Sequence, residues 1–330
     1  MARFLVVAPN WIGDALMAQP LLARLREKLP QARIDVLAPS WVAPVVRRMP
    51  EVSGVIETAF ELGTLALRER WKLGRTLKAL GYHQALVLPN TWKSALVPFF
   101  ADIPLRSGYL GESRYGLLNL LYRKQGAREP MATHYARLAD KPGAEVGLPL
   151  ADPKLVVEAQ AAQRTRERFG IAERYAVFCP GAEYGPAKRW PYFGELAERI
   201  SLPVVLIGSA KERAQCAAIK GRNLAGETTL DEAIELIAGA QWVVANDSGL
   251  MHVAAALGRP QVALYGSSSP QHTPPLSDKA RVLWLGIECS PCYARECPLG
   301  HFRCMKDLRV EQVLAVLGTD PIFQSETTGK

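Results

Sequence analysis

Short apolar runs alternate with longer amphipathic segments along the whole chain of 330 residues. Each run is four or five residues long, rich in β-branched side chains and mostly uncharged, which is typical of strands buried on both faces. The segments between the runs have the length and periodicity of helices. The alternation therefore predicts an α/β protein with parallel sheets. We expect nine strands, at residues 4–8, 34–38, 55–58, 85–88, 176–179, 204–207, 242–245, 262–265 and 282–285.

The alternation is interrupted near the middle of the chain. Two glycines and two prolines between residues 143 and 153 break the periodicity, and the charged stretch 160–168 that follows has the character of a surface helix. We therefore expect two doubly wound, Rossmann-like domains, residues 1–150 and 151–330, joined by a linker at about 143–170. Ligands of such sheets bind beyond the carboxyl ends of the strands, so the loops after strands should carry the chemistry.

Composition excludes several classes of protein. The chain is 48% apolar and 22% charged, which does not fit a disordered protein, and it has no uncharged apolar run of about 18 residues that would span a membrane. The first apolar stretch ends at Pro9 and is too short for a secretory signal. We expect the protein to be cytoplasmic.

The net charge of +8 is confined to the first half of the chain. Residues 1–150 contain 20 Lys and Arg against 12 Asp and Glu, whereas residues 151–330 contain 20 of each. The first half should attract an anionic partner. The chain lacks the basic runs and aromatic-basic repeats of nucleic-acid binders, so we expect no nucleic-acid partner.

The loop after the strand at 242–245 is a candidate anion site. Asn246, Asp247, Ser248 and Gly249 follow the strand directly, and the helical pattern begins at Leu250. Asp247 or Ser248 is well placed to cap the helix. The amides and dipole of the first turn would attract phosphate, although a simple helix cap explains the same residues equally well.

A second candidate loop, residues 180–191, follows the strand at 176–179. It contains two glycines and the adjacent cations Lys188 and Arg189, but no Ser or Thr follows the lysine as in a Walker loop. Lysine is a common partner of phosphate, and a solvated surface loop is the alternative. Two such strand ends in one domain favour a diphosphate ligand over a single phosphate.

In the first half, the strand at 4–8 leads into Asp14 at the start of a helix. A carboxylate there usually serves as a partner of the helix dipole, and a general base at the edge of the sheet is the alternative.

Four of the six cysteines fall between residues 289 and 304. Their number and compactness suit a structural zinc site, and a set of reduced thiols explains them equally well. The four are Cys289, Cys292, Cys297 and Cys304.

Six segments together resemble the ADP-heptose:lipopolysaccharide heptosyltransferases, glycosyltransferase family nine, in order and at compatible spacing to near Arg281. The strings NDSGLMH and PGAEYGPAKRWP are the most specific part of this likeness. The segments are PNWIGDALMAQPLL at 9–22, LPNTWKSALVPFF at 88–100, RSGYLGESRYGLLN at 106–119, CPGAEYGPAKRWP at 179–191, NLAGET at 223–228 and NDSGLMHVAAALGRPQVALYGSSSP at 246–270.

The resemblance implies a GT-B fold, in which two Rossmann-like domains face an interdomain cleft and hold the acceptor and the nucleotide sugar respectively. It implies inverting transfer of L-glycero-D-manno-heptose from ADP-heptose, with Asp14 as the general base and without a cofactor in the chemical step. It gives no support to zinc at the cysteines. The implied donor-binding residues are Gly181, Glu183, Lys188, Asp247, Ser248, Gly249, Leu250, Met251 and His252.

Within the family, the enzyme that adds the second heptose of the inner core resembles the chain most. The enzyme acting one step earlier on Kdo-lipid A, and a GT-B transferase of another nucleotide sugar, are alternatives. A non-catalytic nucleotide- or polyanion-binding protein is the alternative of another class. The implied acceptor is an anionic glycolipid, which implies peripheral contact with the inner face of the cytoplasmic membrane. Candidate acceptor-binding residues are Lys93, Arg106 and Arg114, with Arg47, Arg48, Arg123 and Lys124 as further cations.

Overall fold

A computed structural model of the protein describes residues 1–61, 63–123 and 128–324. It divides into two compact units, Met1–Pro153 and Lys154–Lys330. Each unit is built on one six-stranded sheet in which every pair of neighbouring strands is parallel.

The first unit alternates strands and helices as the hydrophobic pattern predicts. Its central strand is apolar and buried after its first residue, because helices cover the sheet. The strands are β1 (Arg3–Val7), β2 (Arg33–Pro39), β3 (Gly54–Thr58), β4 (Gln84–Val87), β5 (Leu105–Tyr109) and β6 (Leu120–Tyr122). The helices are α1 (Ile12–Met17), α2 (Gln19–Lys28), α3 (Ala43–Val46), α4 (Leu67–Lys78), α5 (Leu96–Phe100) and α6 (Met131–Ala136), with 3₁₀ turns at Trp92–Ala95 and Arg137–Ala139.

The second unit repeats this organisation. Its strands are β7 (Ala176–Cys179), β8 (Val204–Leu206), β9 (Arg222–Asn223), β10 (Trp242–Asn246), β11 (Gln261–Tyr265) and β12 (Ala280–Trp284). Its helices are α7 (Ala159–Arg168), α8 (Phe193–Arg199), α9 (Arg213–Ala217), α10 (Leu230–Gly239), α11 (Gly249–Ala256), α12 (Arg303–Lys306), α13 (Val310–Thr319) and α14 (Pro321–Gln324), with 3₁₀ turns at Pro186–Lys188 and Ala210–Glu212.

Local sequence explains why individual helices begin where they do. Helix α10 begins after a capping box: Thr229 Oγ1 accepts a hydrogen bond from the amide of Glu232 at 3.2 Å, and the Glu232 carboxylate accepts one from the amide of Thr229 at 2.8 Å. Its apolar side chains Ile234, Leu236 and Ile237 are fully buried. Capping and burial of the apolar face act together to place this helix.

The two sheets have the same topology. The strand orders are β3-β2-β1-β4-β5-β6 and β9-β8-β7-β10-β11-β12. In each sheet the first strand is central, the next two strands extend the sheet towards one edge, and the last three extend it towards the other edge. Both are the doubly wound order of Rossmann-like domains, and ligands of such sheets bind where the order reverses. That point lies between β1 and β4 in the first unit and between β7 and β10 in the second.

All nine predicted strands are present, and the structure adds β5, β6 and β9. The sequence pattern missed these three because they are short or polar: β9 has two residues, β6 has three, and β5 contains an arginine, a serine and a glycine. Among the described helices, none has both the length and the apolar character needed to cross a bilayer.

Candidate functional site

Two loops of the second unit meet at the point where its strand order reverses. Strand β7 pairs with β10, so the loop that follows β7 lies beside the start of α11. Asn246, which is fully buried, donates a hydrogen bond from Nδ2 to the carbonyl of Pro180 at 2.7 Å. Its Oδ1 accepts a hydrogen bond from the amide of Trp190 at 3.1 Å. One side chain therefore fastens both ends of the loop to β10.

The middle of the loop places a cation against the end of β10. Lys188 Nζ lies 2.5 Å from Asp247 Oδ2, and the two side chains are 14% and 4% exposed. The same oxygen accepts a hydrogen bond from the Ser268 hydroxyl. The ring of Tyr184 lies 4.8 Å from Nζ, within the range of a cation–π contact. These contacts hold Lys188 in one position although its loop contains two glycines.

Helix α11 begins at Gly249, one residue before the predicted start. Ser248 occupies the N-cap position in an extended conformation, and within the described chain its side chain accepts no hydrogen bond from the first turn. The amides of that turn therefore keep their capacity for an anion, and their partial positive charge adds to that of Lys188. The arrangement is suited to a phosphate group.

His252 lies one turn into α11 and is buried. Burial lowers the pKa of its imidazole to about 4; the charge of Asp247 opposes this change and the charge of Lys188 adds to it. The imidazole is therefore neutral at neutral pH, with one donor and one acceptor nitrogen.

The other predicted donor-binding residues differ in their accessibility. Ser248, Gly249 and Leu250 are half-buried, whereas Met251 is fully buried in the core. Glu183 is exposed and pairs with Lys211 at 2.8 Å. The donor-binding role of these residues stays a prediction.

Gly181 is required by its neighbour, the buried Glu212. A Cβ atom at position 181 would lie 1.9 Å from Glu212 Oε1, so no larger residue fits without displacing that carboxylate. Glu212 is in turn fixed by the backbone amide of Ser209, which donates to its Oε2 at 2.7 Å. The sequence pattern gave no indication of Glu212, because it lies 31 residues after Gly181 on another loop.

The segment that contains the four clustered cysteines, residues 289–304, packs against the loop of residues 180–191. The carbonyl of Arg295 accepts a hydrogen bond from the amide of Ala187 at 3.0 Å, and the hydroxyl of Tyr184 donates to the carbonyl of Tyr293. Gly185 has a φ of +149°, and a Cβ there would lie 2.4 Å from the Arg295 carbonyl oxygen. The segment thus supports the loop that carries Lys188.

The predicted zinc site has no support in the structure. Cys289, Cys297 and Cys304 line one apolar pocket with His301, and the exposed Cys292 also borders it. Across residues 1–61, 63–123 and 128–324, however, no three His, Cys, Asp or Glu side chains are arranged so that they could hold a metal ion. Cys297 Sγ accepts a hydrogen bond from a backbone amide at 3.4 Å, and the six cysteines are free thiols.

In the first unit, the predicted general base lies at the corresponding strand end. Asp14 is half-buried in the first turn of α1, directly after β1. The buried hydroxyl of Tyr135 is close enough for the charge of Asp14 to raise its pKa, in addition to the larger effect of burial. The indole Nε1 of Trp41 donates to the carbonyl of Asn10 at 2.9 Å and fixes the loop that precedes α1.

The three predicted acceptor-binding cations have different surroundings. Arg114 is 1% exposed, and its guanidinium donates to the carbonyls of Pro89 at 2.6 Å and Tyr109 at 2.7 Å. Arg106 donates to three backbone carbonyls, including that of Leu117 at 2.7 Å. These bonds show that both side chains organise loops; acceptor binding by them stays a prediction.

Lys93 differs from those two arginines because it is half-buried and lines a pocket at the carboxyl edge of the first sheet. Of the further cations, Arg47 pairs with Glu57, and Lys124 lies outside the described residues.

Comparison with known proteins assigns the family. The sequence profile of glycosyltransferase family 9 (heptosyltransferase) matches residues 70–303, well over half of the chain. The chain belongs to this family. As a family 9 glycosyltransferase of the heptosyltransferase type it is an enzyme.

Full-length relatives agree with the assignment. The family 9 chain is 45% identical to lipopolysaccharide heptosyltransferase 2 of Escherichia coli (strain K12), over 96% of this chain and 97% of the relative. It is 44% identical to lipooligosaccharide heptosyltransferase 2 of Haemophilus influenzae, over 86% and 88% of the two chains.

A solved structure shows that the likeness extends to the fold. The structure of E. coli ADP-heptose LPS heptosyltransferase II matches with a TM-score of 0.87 and 43% identity, covering 99% of this chain and 100% of that one. The predicted α/β architecture and GT-B class of this family 9 enzyme are confirmed.

Proposed function

We propose that this family 9 enzyme transfers L-glycero-D-manno-heptose from ADP-heptose to the first heptose of the lipopolysaccharide inner core, with inversion at the anomeric carbon. The observation that carries the proposal is the pairing of Lys188 with Asp247 at the start of α11, where the strand order of the second sheet reverses. The names of the full-length relatives, lipopolysaccharide and lipooligosaccharide heptosyltransferase 2, support this choice of acceptor.

The second unit would bind the donor. Lys188 and the first-turn amides of α11 present positive charge from two sides of one strand end, which suits the two phosphates of ADP. In the absence of an anion, Asp247 compensates the charge of Lys188 and holds it in place. When heptose departs, negative charge increases on the ADP leaving group, and fixed positive groups stabilise that charge without reorganisation.

The first unit would supply the base. Asp14 would accept the proton of the acceptor hydroxyl as that oxygen attacks the anomeric carbon from the face opposite the departing diphosphate. A single displacement of this kind inverts the configuration. The geometry required is a short distance between the carboxylate and the hydroxyl in the bound complex. The half-buried position of Asp14 in the first turn of α1, directly after β1, supports this role.

The acceptor would bring the enzyme to a membrane surface. The excess of 20 basic over 12 acidic residues in positions 1–150 suits an anionic glycolipid in the cytoplasmic leaflet. We propose peripheral attachment by this charge, which should weaken as the salt concentration rises.

Two substitutions test the roles of the two units separately. Asp14→Asn should reduce transfer by at least 100-fold while ADP binding is retained. Lys188→Gln should weaken ADP binding about 10- to 100-fold, because a charge-assisted contact is lost. Asp102→Asn and Lys220→Gln change exposed residues of the same types and should leave both measurements unchanged. Transfer at the wild-type rate by Asp14→Asn would rule out Asp14 as the general base.

The acceptor is tested with defined substrates. Release of ADP from ADP-heptose should require a core that already carries one heptose, and Kdo-lipid A should be inert. Turnover on Kdo-lipid A alone would assign the enzyme to the preceding step instead. Failure to consume ADP-heptose with either acceptor would refute the proposed function.

A further inference from the structure

A buried cation without an acidic partner lies in the first unit. Arg70 of α4 is 8% exposed. Its Nε donates to the carbonyl of Leu65 at 2.8 Å and its Nη1 to the carbonyl of Lys93 at 3.3 Å, while the guanidinium carbon lies 4.2 Å from the centre of the Phe60 ring. Within the described parts of the chain, no carboxylate forms an ion pair with it and Nη2 has no hydrogen-bond partner.

Arg70 forms part of the wall of a pocket at the carboxyl edge of the first sheet. The pocket encloses about 540 Å³, its open mouth included, and lies where the strand order reverses between β1 and β4. The ends of β1, β2 and β3 contribute to it, together with the loop after β4. Its polar lining besides Arg70 includes Asn10, Thr58, Thr91, Lys93 and Ser94.

The charge of this pocket is not balanced by the protein. A guanidinium loses hydration when it is buried, and the two carbonyls that Arg70 contacts compensate only part of that loss. Burial accordingly lowers the pKa of Arg70. Lys93 adds a second cation to the lining, whereas the acid that borders the pocket, Glu61, is exposed. An anion bound in the pocket would supply the missing counter-charge.

We propose that Arg70 binds an anionic group of the acceptor, a phosphate or a sugar carboxylate, and so selects acceptors that carry one. The planar guanidinium offers paired N–H donors that match the oxygens of either group, and its contacts with Phe60 and two carbonyls hold it in place beforehand. The proposal rests on the proposed function, because it is the acceptor that brings the anion to the first unit.

The first experiment compares Arg70→Gln and Arg70→Lys with a matched control, Arg68→Gln, which makes the same change at an exposed position of the same helix. Arg70→Gln should raise the acceptor KM about 10- to 100-fold and leave the KM of ADP-heptose and kcat within twofold. Arg70→Lys keeps the charge but not the paired donors, so its KM should fall between those of Arg70→Gln and the wild type. Arg68→Gln should match the wild type.

The second experiment identifies the anion. The wild type and Arg70→Gln are assayed with acceptor from which phosphates have been removed and, separately, with acceptor whose carboxylates have been reduced. Removing the recognised group should raise the wild-type KM to that of Arg70→Gln and leave the variant unchanged. If the acceptor KM of Arg70→Gln exceeds that of the wild type by the same factor on every acceptor, the role of Arg70 is purely structural and the proposal is overturned. A rise in the KM of ADP-heptose as large as that in the acceptor KM would have the same meaning.

Inorganic phosphate separates this proposal from the proposed function. Titration calorimetry is carried out with Lys188→Gln present in every protein, because the anion site of the second unit would otherwise also bind phosphate. It should detect phosphate binding to the proteins that carry Arg70, with or without Arg68→Gln, and binding at least tenfold weaker to Arg70→Gln. If the wild type transfers no heptose but the Lys188→Gln proteins show this pattern, the proposed function fails and the anion site stands. Efficient transfer with a wild-type acceptor KM in Arg70→Gln would remove the anion site and leave the proposed function intact.

Discussion

Replacing His252 with glutamine should make the protein less sensitive to mild acid. Burial lowers the pKa of His252 to about 4 in the folded protein, against an ordinary value of 6.5 in the unfolded chain. The unfolded chain therefore binds the proton more readily, and the free energy of unfolding falls as the pH decreases from 6.5 towards 4. The loss attributable to His252 is about 2 kcal/mol between pH 7 and pH 5, and about 3 kcal/mol once both states are protonated.

Urea titrations at pH 7 and pH 5, followed by tryptophan fluorescence, would measure this effect. Glutamine is neutral at both values, so the wild type should lose about 2 kcal/mol more than His252→Gln over this interval. Taking the difference between the two proteins removes the contributions of the other titrating groups, and any constant cost of the substitution cancels as well. Equal pH dependence of the two proteins would refute the reasoning, because it would mean that His252 is protonated without penalty in the folded state.

Three further substitutions test the packing around the site. Asn246→Ala leaves the buried amide of Trp190 without its partner and leaves the Pro180 carbonyl with only a 3.5 Å hydrogen bond from Gln215. It should cost about 2–4 kcal/mol in urea denaturation, and a loss below about 1 kcal/mol would contradict the bridge between the loop and β10. Gly181→Ala places a Cβ 1.9 Å from a Glu212 oxygen and should lower the melting temperature, whereas Gly194→Ala in α8, with 3.8 Å of clearance, should leave it unchanged or raise it. Thr229→Ala removes the capping box of α10 and should cost about 1 kcal/mol, measured in the same way.

The sites of the two units were predictable to different degrees. In the second unit, the loops after β7 and β10 stand out in the sequence because polar residues and glycines follow buried apolar runs directly, which drew attention to Lys188 and Asp247. Ser268 was identifiable by the same rule, since it follows β11. Arg295 was not, because its contribution to the site is a backbone carbonyl, and a backbone contact leaves no trace in residue type.

In the first unit, the candidate cations predicted from the sequence include the buried Arg114 but not the buried Arg70. Arg106 and Arg114 were chosen for their charge, yet their guanidinium groups bond to backbone carbonyls. Arg70 lies in a helix with many charged residues and gave no signal that it faces inward. A charged residue on an amphipathic helix is usually solvated, and only packing reveals the exception.

The sequence by itself determined nine of the twelve strands that the structure describes, because local hydrophobic periodicity decides which face of each segment is buried. The short or polar strands β5, β6 and β9 lack that pattern. The sequence also determined that the strands are parallel, since nearly all-apolar runs must be covered on both sides. The order of strands within each sheet was decided by the tertiary structure. Strand pairing joins residues that are far apart in the chain. One apolar run packs beside another almost equally well, so residue composition does not determine which strands become neighbours. That choice of β10 beside β7 brought Lys188 and Asp247 together across 59 residues.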